Sequence, residues 1–138
     1  ADGISDLLNK KSGIAGLTGL SSDMRDIENA ANAGDEKAIA AQESYFYRIK
    51  KYVGAYAAAM GGCDVLVFTA GVGENQTGMR EAVCKGLEFM GIEIDVEKNS
   101  TIRGEEAIIS TPNSKVKVVV IPTDEELMIA SDTMALVK

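Results

Sequence analysis

The residues best suited to chemistry in this sequence lie in three short polar segments. One is Gly71-Val72-Gly73-Glu74-Asn75, which separates an apolar run from an amphipathic stretch. Glycines allow the backbone to approach a ligand closely, and the free N–H groups at the start of a following helix attract phosphate. Asn75 could cap that helix or bind the ligand. The spacing matches neither a dinucleotide-binding motif nor a P-loop, so a plain strand-to-helix turn is the alternative interpretation.

The second segment, Thr123-Asp124-Glu125-Glu126, places three carboxylates directly after another apolar run. Mg²⁺ uses one or two protein carboxylates together with waters and substrate phosphates, which makes Glu125 a candidate metal ligand. The structural interpretation is a capping box, with Thr123 as the N-cap and Glu126 three positions later. Both interpretations hold together if Glu126 caps the helix while Glu125 points elsewhere.

The third segment, Ser22-Asp23-Met24-Arg25, has an acidic and a basic side chain two positions apart at a predicted helix start. Such a pair could bind a ribose hydroxyl and stack on a purine. The alternative is an N-cap with a surface charge pair, which requires no ligand.

Composition excludes several kinds of site. The 138 residues contain no histidine, which rules out a Ser-His-Asp triad, a histidine base and a histidine-containing zinc site within this chain. A net charge of −7 argues against nucleic acid or an anionic membrane as a partner. No apolar run approaches the length of a membrane span, and the first six residues do not resemble a signal peptide. We expect Cys63 and Cys84 to be reduced, as in a cytoplasmic protein.

The first half of the chain is predicted to be largely helical. Glycines at every third position predict an irregular loop up to about Leu20. A helix is predicted from Ser22–Asp23 to about Ala33, and a longer one from Asp35 to about Met60. The longer helix carries an apolar stripe that we expect to pack in the core; it consists of Ile39, Phe46, Ile49, Val53, Tyr56 and Met60.

The second half predicts strands alternating with helices. The apolar run 64–69 predicts a strand covered on both faces, and 76–90 predicts an amphipathic helix. A short strand at 92–94 precedes a predicted hairpin, whose strands 106–111 and 115–121 flank a turn at 112–114. A final helix begins at Thr123, with Leu127, Ala130, Met134 and Val137 on its apolar face. This is an α/β pattern with few strands, so we expect neighbouring strands to lie upstream, outside this chain.

Taken together, these segments resemble the C-terminal part of the acetate kinases, the acetokinase family. The resemblance covers essentially the whole chain and keeps the family's order and spacing. The matching residues are 12–16, 19–25, 67–75, Arg80-Glu81 and 121–130.

The resemblance implies a fold, an activity and an assembly. The expected fold is the C-terminal part of an actin-like ATPase (ribonuclease H-like) domain, with a mixed sheet flanked by helices. Residues 1–138 would form a partial nucleotide-binding domain from which the N-terminal domain is absent. The implied reaction transfers a phosphoryl group from ATP to acetate, giving ADP and acetyl phosphate, with Mg²⁺. The family is cytoplasmic and homodimeric, largely through its C-terminal domain.

The resemblance also implies which residues bind the nucleotide and the metal. The nucleotide-binding residues would be Asp23, Met24 and Arg25 on the adenosine side, with Gly71, Val72, Gly73, Glu74 and Asn75 in the nucleotide loop. Glu125 matches the magnesium-associated glutamate. In this interpretation Glu74 faces the sugar hydroxyls of the nucleotide, which avoids repulsion between its carboxylate and the phosphates.

The same resemblance predicts that this chain is inactive alone. Family members are roughly three times as long, and their acetate pocket and catalytic residues have no counterpart here, so no catalytic residue is assigned. Phosphoryl transfer depends on several positioned groups. The alternatives are a propionate or butyrate kinase, whose substrate choice lies upstream, and a non-catalytic nucleotide-binding or dimerisation module.

Overall fold

Two units make up the computed structural model, which describes residues 2–137, and the boundary between them follows Gly62. The first unit is helical. It contains α1 (Asp2–Lys10), α2 (Gly13–Thr18), α3 (Met24–Asn32) and α4 (Glu36–Met60). Both α2 and α3 contact α4.

The predicted limits of α3 and α4 are confirmed, because their caps form as expected. Asp23 precedes α3 and its side chain accepts a hydrogen bond from the backbone N–H of Arg25. The Asp35 carboxylate accepts from the N–H of Ala38 at 2.8 Å, which satisfies a donor that the first turn of α4 leaves unpaired. Gly61 ends α4 at φ 75°, a left-handed conformation that glycine adopts readily.

The loop predicted up to Leu20 is wrong, because α1 and α2 occupy most of that stretch. Two of its glycines have positive φ values, 63° at Gly13 and 70° at Gly19, and they lie at the two ends of α2. The repeated glycines therefore delimit a short helix and do not prevent one.

The apolar stripe predicted to pack in the core along α4 is only partly buried among the residues that the structure describes, since Phe46, Ile49 and Val53 are half-buried. The buried residues of α4 are the alanines Ala38, Ala41 and Ala57. Tyr56 and Met60 are 62% and 69% exposed. A residue with no side chain beyond Cβ lets a neighbouring helix approach closely, which periodicity of large apolar residues does not reveal.

The second unit is α/β. Its elements in chain order are β1 (Val65–Phe68), α5 (Ala70–Asn75), α6 (Thr77–Cys84), a 3₁₀ turn (Glu88–Met90), α7 (Val96–Thr101), β2 (Ala107–Ile108), β3 (Lys117–Val120) and α8 (Glu125–Leu136). The three strands form a sheet in the order β1-β3-β2. Val65 of β1 pairs with Lys117 in parallel, and Ala107 of β2 pairs with Val120 in antiparallel. This confirms the α/β class and the mixed sheet flanked by helices.

The predicted hairpin forms, with shorter strands than expected. Outside the named strands, single bridges join Ile92 to Val116 and Ile94 to Ser110, so the predicted strand at 92–94 is reduced to two bridges. The core of this unit includes apolar side chains from the sheet and from α6, namely Phe68, Met79, Val83, Ile109, Val118 and Val120.

Two further expectations about the second unit differ from the structure. The strand β1 is covered on one face only among residues 2–137, since Val65 and Val67 are both exposed. The helix predicted over 76–90 ends at Cys84, because Gly86 takes φ 84° and turns the chain. The residues predicted to form the apolar face of α8 are exposed, with Leu127 at 60%.

No helix among residues 2–137 has both the length and the apolar character needed to cross a membrane.

Candidate functional site

The glycine-containing segment forms α5, a short helix that follows β1 almost without a connection. Thr69 is extended, and the next residue, Ala70, has a φ of 58°, the only positive value among the non-glycine residues described. A left-handed alanine is strained, so the surrounding contacts must hold it there. Segment 71–75 is thus a helical turn close to the end of a strand, where ligands of α/β sheets usually bind.

The two glycines in α5 are required for different reasons. Gly73 is buried, and a Cβ at that position would lie 3.1 Å from the carbonyl carbon of Phe68 in β1. A Cβ at Gly71 would meet nothing within 4 Å. Gly73 therefore lets α5 fold against the end of β1, while Gly71 leaves an open backbone surface. At the end of α5, the Nδ2 of Asn75 donates to the carbonyl of Gly71 at 2.9 Å.

A buried arginine forms hydrogen bonds to α5 from its buried side. Arg80 of α6 has no exposed surface. Its Nη1 donates to the carbonyls of Gly73 and Glu74, both at 2.8 Å. Burial, together with repulsion from Arg103, lowers the pKa of the Arg80 guanidinium.

The remaining donors of Arg80 reach α7 and the chain that follows it. Nε donates to the Oδ1 of Asn99 at 2.7 Å, and Nη2 donates to the carbonyls of Asn99 and Ile102. Asn99 is itself fully buried, and its Nδ2 donates to the carbonyl of Thr77. Sequence reasoning assigned no role to this pair and did not predict α7. A signal was present, because Arg80 lies at helical spacing from the buried Val83 and Cys84.

Two of the predicted segments meet in this unit. The Oε1 of Glu74 accepts a hydrogen bond from the backbone N–H of Thr123 at 2.8 Å and another from the Thr123 hydroxyl at 3.0 Å. The nucleotide-loop segment 71–75 is thereby joined to the acidic segment 123–126. Neither Thr123 nor Glu74 was expected to make this contact.

The capping box predicted at Thr123 is wrong, because Asp124 caps α8. The Asp124 carboxylate accepts from the backbone N–H of Leu127 at 2.9 Å. The N–H and hydroxyl of Thr123 bind Glu74 instead. The helix therefore begins one residue later than a capping box with Thr123 as N-cap would require. Glu125 is the first residue of α8 and its side chain is exposed.

A metal role for Glu125 remains a prediction, and its side chain offers one exposed carboxylate. Within residues 2–137, no three His, Cys, Asp or Glu side chains cluster closely enough to hold a metal by themselves. Mg²⁺ does not need such a cage, because it retains waters and binds through one or two carboxylates and substrate phosphates. A single exposed carboxylate such as Glu125 is compatible with that mode of binding.

The third predicted segment belongs to the first unit. The Asp23 carboxylate accepts from both Nε and Nη2 of Arg25, the latter at 2.6 Å. These hydrogen bonds lower the pKa of Asp23 to about 2 and raise the pKa of Arg25. The N-cap and charge pair considered as the alternative are thus both present. A nucleotide role for Asp23, Met24 and Arg25, and their convergence with the other two segments, remain predictions.

Comparison with known proteins identifies the family. The acetokinase family model matches residues 1–131. An acetate kinase of Phocaeicola vulgatus is 67% identical over 136 residues, which are 99% of this chain and 34% of that protein. A crystal structure of Porphyromonas gingivalis acetate kinase has a TM-score of 0.91 at 63% identity and covers 100% of this chain and 35% of its own.

A second solved structure is that of a kinase named for a different substrate. A propionate kinase from Francisella tularensis has a TM-score of 0.83 at 39% identity, covering 94% of this chain and 33% of its own. The chain therefore spans about a third of the length of the relatives it matches. With a family model that matches nearly its whole length, the chain belongs to the acetokinase family.

Proposed function

We propose that this chain is the nucleotide side of an acetate kinase, which transfers the γ-phosphoryl group of ATP to acetate and gives ADP and acetyl phosphate. The observation that carries the proposal is the pair of hydrogen bonds between Glu74 and Thr123 in a member of the acetokinase family. They join the segment expected to bind nucleotide to the one expected to bind Mg²⁺. A nucleotide phosphate and its cation must be held side by side, which this arrangement supports.

The proposed roles follow from the local geometry. The open backbone surface at Gly71 lets a nucleotide approach α5, and Asn75 closes the same turn. Glu125 would hold Mg²⁺ together with phosphate oxygens, and the bound cation would supply neutralisation of phosphate charge. Asp23, Met24 and Arg25 would contact the adenosine side. Because Oε1 of Glu74 already has two donors, its other oxygen is the one proposed to accept from a ribose hydroxyl.

We propose no catalytic residue within these 138 residues and expect the chain alone to be inactive. The acetate pocket and the groups around the transferred phosphoryl would come from the remaining two thirds of the enzyme. Titration of the purified chain with Mg-ADP, beside an assay with ATP and acetate, tests this. Binding without turnover supports the proposal, whereas turnover above background contradicts the expected inactivity.

Glu125→Gln tests the metal role in the enzyme that contains this chain. The substitution keeps the size of the side chain and removes its charge, so the Mg²⁺ concentration for half-maximal activity should rise and kcat should fall. Glu126→Gln is the matched control, because it makes the same change at the next position. Equal Mg²⁺ dependence in the two variants would contradict the role of Glu125.

Propionate is the second candidate substrate, since the solved propionate kinase matches 94% of this chain. The carboxylate substrates differ by single methylene groups, which an apolar pocket discriminates by about 10- to 200-fold. The kcat/KM values for acetate, propionate and butyrate therefore decide between these kinases. Absence of phosphoryl transfer to all three would favour the non-catalytic module.

We also propose a cytoplasmic homodimer. Large apolar side chains of α8 are exposed within this chain, including Met128, Ile129 and Leu136. A second copy or the rest of the enzyme is expected to cover them, because such surfaces seldom face water. Sedimentation of the whole enzyme measures its oligomeric state, and a monomer at micromolar concentration would contradict the dimer.

A further inference from the structure

We propose that Arg80 is a positioning residue for the nucleotide, acting through the carbonyls of Gly73 and Glu74. The inference rests on the proposed nucleotide role of segment 71–75 and adds a residue that would not itself touch the ligand. It is carried by the hydrogen-bonding geometry and the burial of the Arg80 side chain.

The guanidinium of Arg80 uses its whole donor set within the second unit. A guanidinium has five N–H groups in a fixed planar fork. Arg80 makes five hydrogen bonds, whose acceptors are the carbonyls of Gly73, Glu74, Asn99 and Ile102 and the Oδ1 of Asn99. Because the fork is rigid, fixing three acceptors on the α7 side also fixes where the two carbonyls of α5 must lie.

This contact sets the conformation of α5 from its buried side. Helix α5 has only six residues, too few to be stable without tertiary contacts. Its Ala70 is held in a left-handed conformation that is unfavourable for alanine. Two short hydrogen bonds to consecutive carbonyls offset that cost and keep the other side of the turn, with Gly71, free to face a ligand.

The same fork connects α5 to the chain beyond α7. Nη2 donates to the carbonyl of Ile102 at 2.6 Å, and the N–H of Gly104 donates to the carbonyl of Glu74 at 3.2 Å. The Glu74 carbonyl thus accepts from Arg80 and from Gly104 at once. Loss of the fork would leave this carbonyl bound by Gly104 alone and would weaken the positioning of Glu74, the residue that binds Thr123.

The five acceptors are all uncharged. Carbonyl and amide oxygens satisfy the N–H groups of Arg80, but none of these five acceptors is a carboxylate that would balance its positive charge. A carboxylate paired with the buried guanidinium would neutralise its charge. A buried cation beneath the proposed nucleotide loop favours an anion above it, which agrees with a phosphate-bearing ligand.

The test uses Arg80→Lys in the enzyme that contains this chain. Lysine keeps the charge but has three donors on a flexible stem, so the fork is lost. The matched control is Val83→Ala, one turn further along α6, which removes buried apolar contact and leaves the hydrogen bonds of Arg80 to α5 in place. Titration with ADP, the KM for acetate, thermal unfolding and hydrogen exchange of residues 70–76 are measured for each protein.

Arg80→Lys should raise the Kd for ADP by about tenfold or more and leave the KM for acetate within about twofold, as expected for the loss of charge-assisted hydrogen bonds. Hydrogen exchange over 70–76 should accelerate in this variant more than in Val83→Ala. An unchanged Kd for ADP, or an equal rise in Kd for both variants, would overturn the proposal.

Asn99→Ser decides the question if Arg80→Lys fails to fold. It removes the acceptor of Arg80 Nε and leaves the four backbone acceptors in place, so a smaller rise in the Kd for ADP is expected. No rise would overturn the proposal. If the wild-type enzyme binds ADP and transfers no phosphoryl group to a carboxylate, the proposed function fails, whereas the Kd comparison still decides the role of Arg80.

Discussion

Glu74 and Thr123 lie 49 positions apart in the sequence, and one carboxylate oxygen of Glu74 accepts both the backbone N–H and the hydroxyl hydrogen of Thr123. This contact links α5, at the end of β1, to the start of α8, which follows β3. Since β1 and β3 are parallel neighbours, their carboxyl ends lie at the same edge of the sheet. The sheet thus brings the two segments together, and the Glu74 carboxylate holds them there.

Glu74→Ala removes both of these hydrogen bonds. The free energy of unfolding should fall by about 1–3 kcal/mol, the usual range for two hydrogen bonds that involve a charged group near the surface. The measurement is urea unfolding of the enzyme that contains this chain. Glu81→Ala, at an exposed position of α6, is the control and should change the stability by less than about 0.5 kcal/mol.

Gly73→Ala should destabilise the second unit, because the new methyl group would meet the backbone of Phe68 at 3.1 Å. Overpacking of this kind costs about 1–3 kcal/mol. The same substitution at Gly71 has open space and should leave thermal unfolding nearly unchanged. If both variants melted at the wild-type temperature, the close contact between α5 and β1 would be wrong.

Asp124→Ala should lower the free energy of unfolding by about 1 kcal/mol, because it removes the N-cap of α8. Glu126→Ala should not have this cost, since Glu126 takes no part in the cap. Thermal unfolding of the two variants distinguishes the observed cap from the capping box that the sequence predicts. A larger loss at Glu126 would contradict the observed cap.

The pair Asp23 and Arg25 predicts a dependence on pH. The pKa of Asp23 falls from its ordinary 3.8 to about 2 in the folded state, first because Arg25 donates hydrogen bonds to it. The ionised carboxylate therefore stabilises the folded state fully above pH 3.8, and this contribution is lost as the pH falls towards 2. The carboxyl carbon of Asp23, followed by NMR titration, measures the pKa directly.

Arg25→Gln should return the pKa of Asp23 towards 3.8, since the guanidinium donors are gone. Arg48→Gln changes an arginine of α4 that is not among the causes of the Asp23 shift, and it should leave the titration unaltered. An Asp23 pKa that stayed near 2 in Arg25→Gln would assign the shift to another group.

Local patterns in the sequence were sufficient for the elements whose ends are set by neighbouring residues. Asp23, Asp35 and Gly61 mark the limits of α3 and α4, because a cap is a contact within one helical turn. The α/β class and the hairpin also follow from alternating apolar runs and turn residues. The resemblance to acetate kinases, carried by short motifs in a fixed order, identified the family that the comparisons confirm.

Only the tertiary structure decided the contacts between residues far apart in sequence. The five hydrogen bonds of Arg80, the pairing of Glu74 with Thr123 and the choice of Asp124 as the cap of α8 all depend on how elements pack. Periodicity marks which side chains are apolar, but not how much of each a neighbour covers, and so Tyr56 and Met60 of the α4 stripe were expected in the core and found exposed. The types of the site residues are local properties of the sequence. The contact between the two site segments depends on the sheet, because it pairs strands that are far apart in the chain.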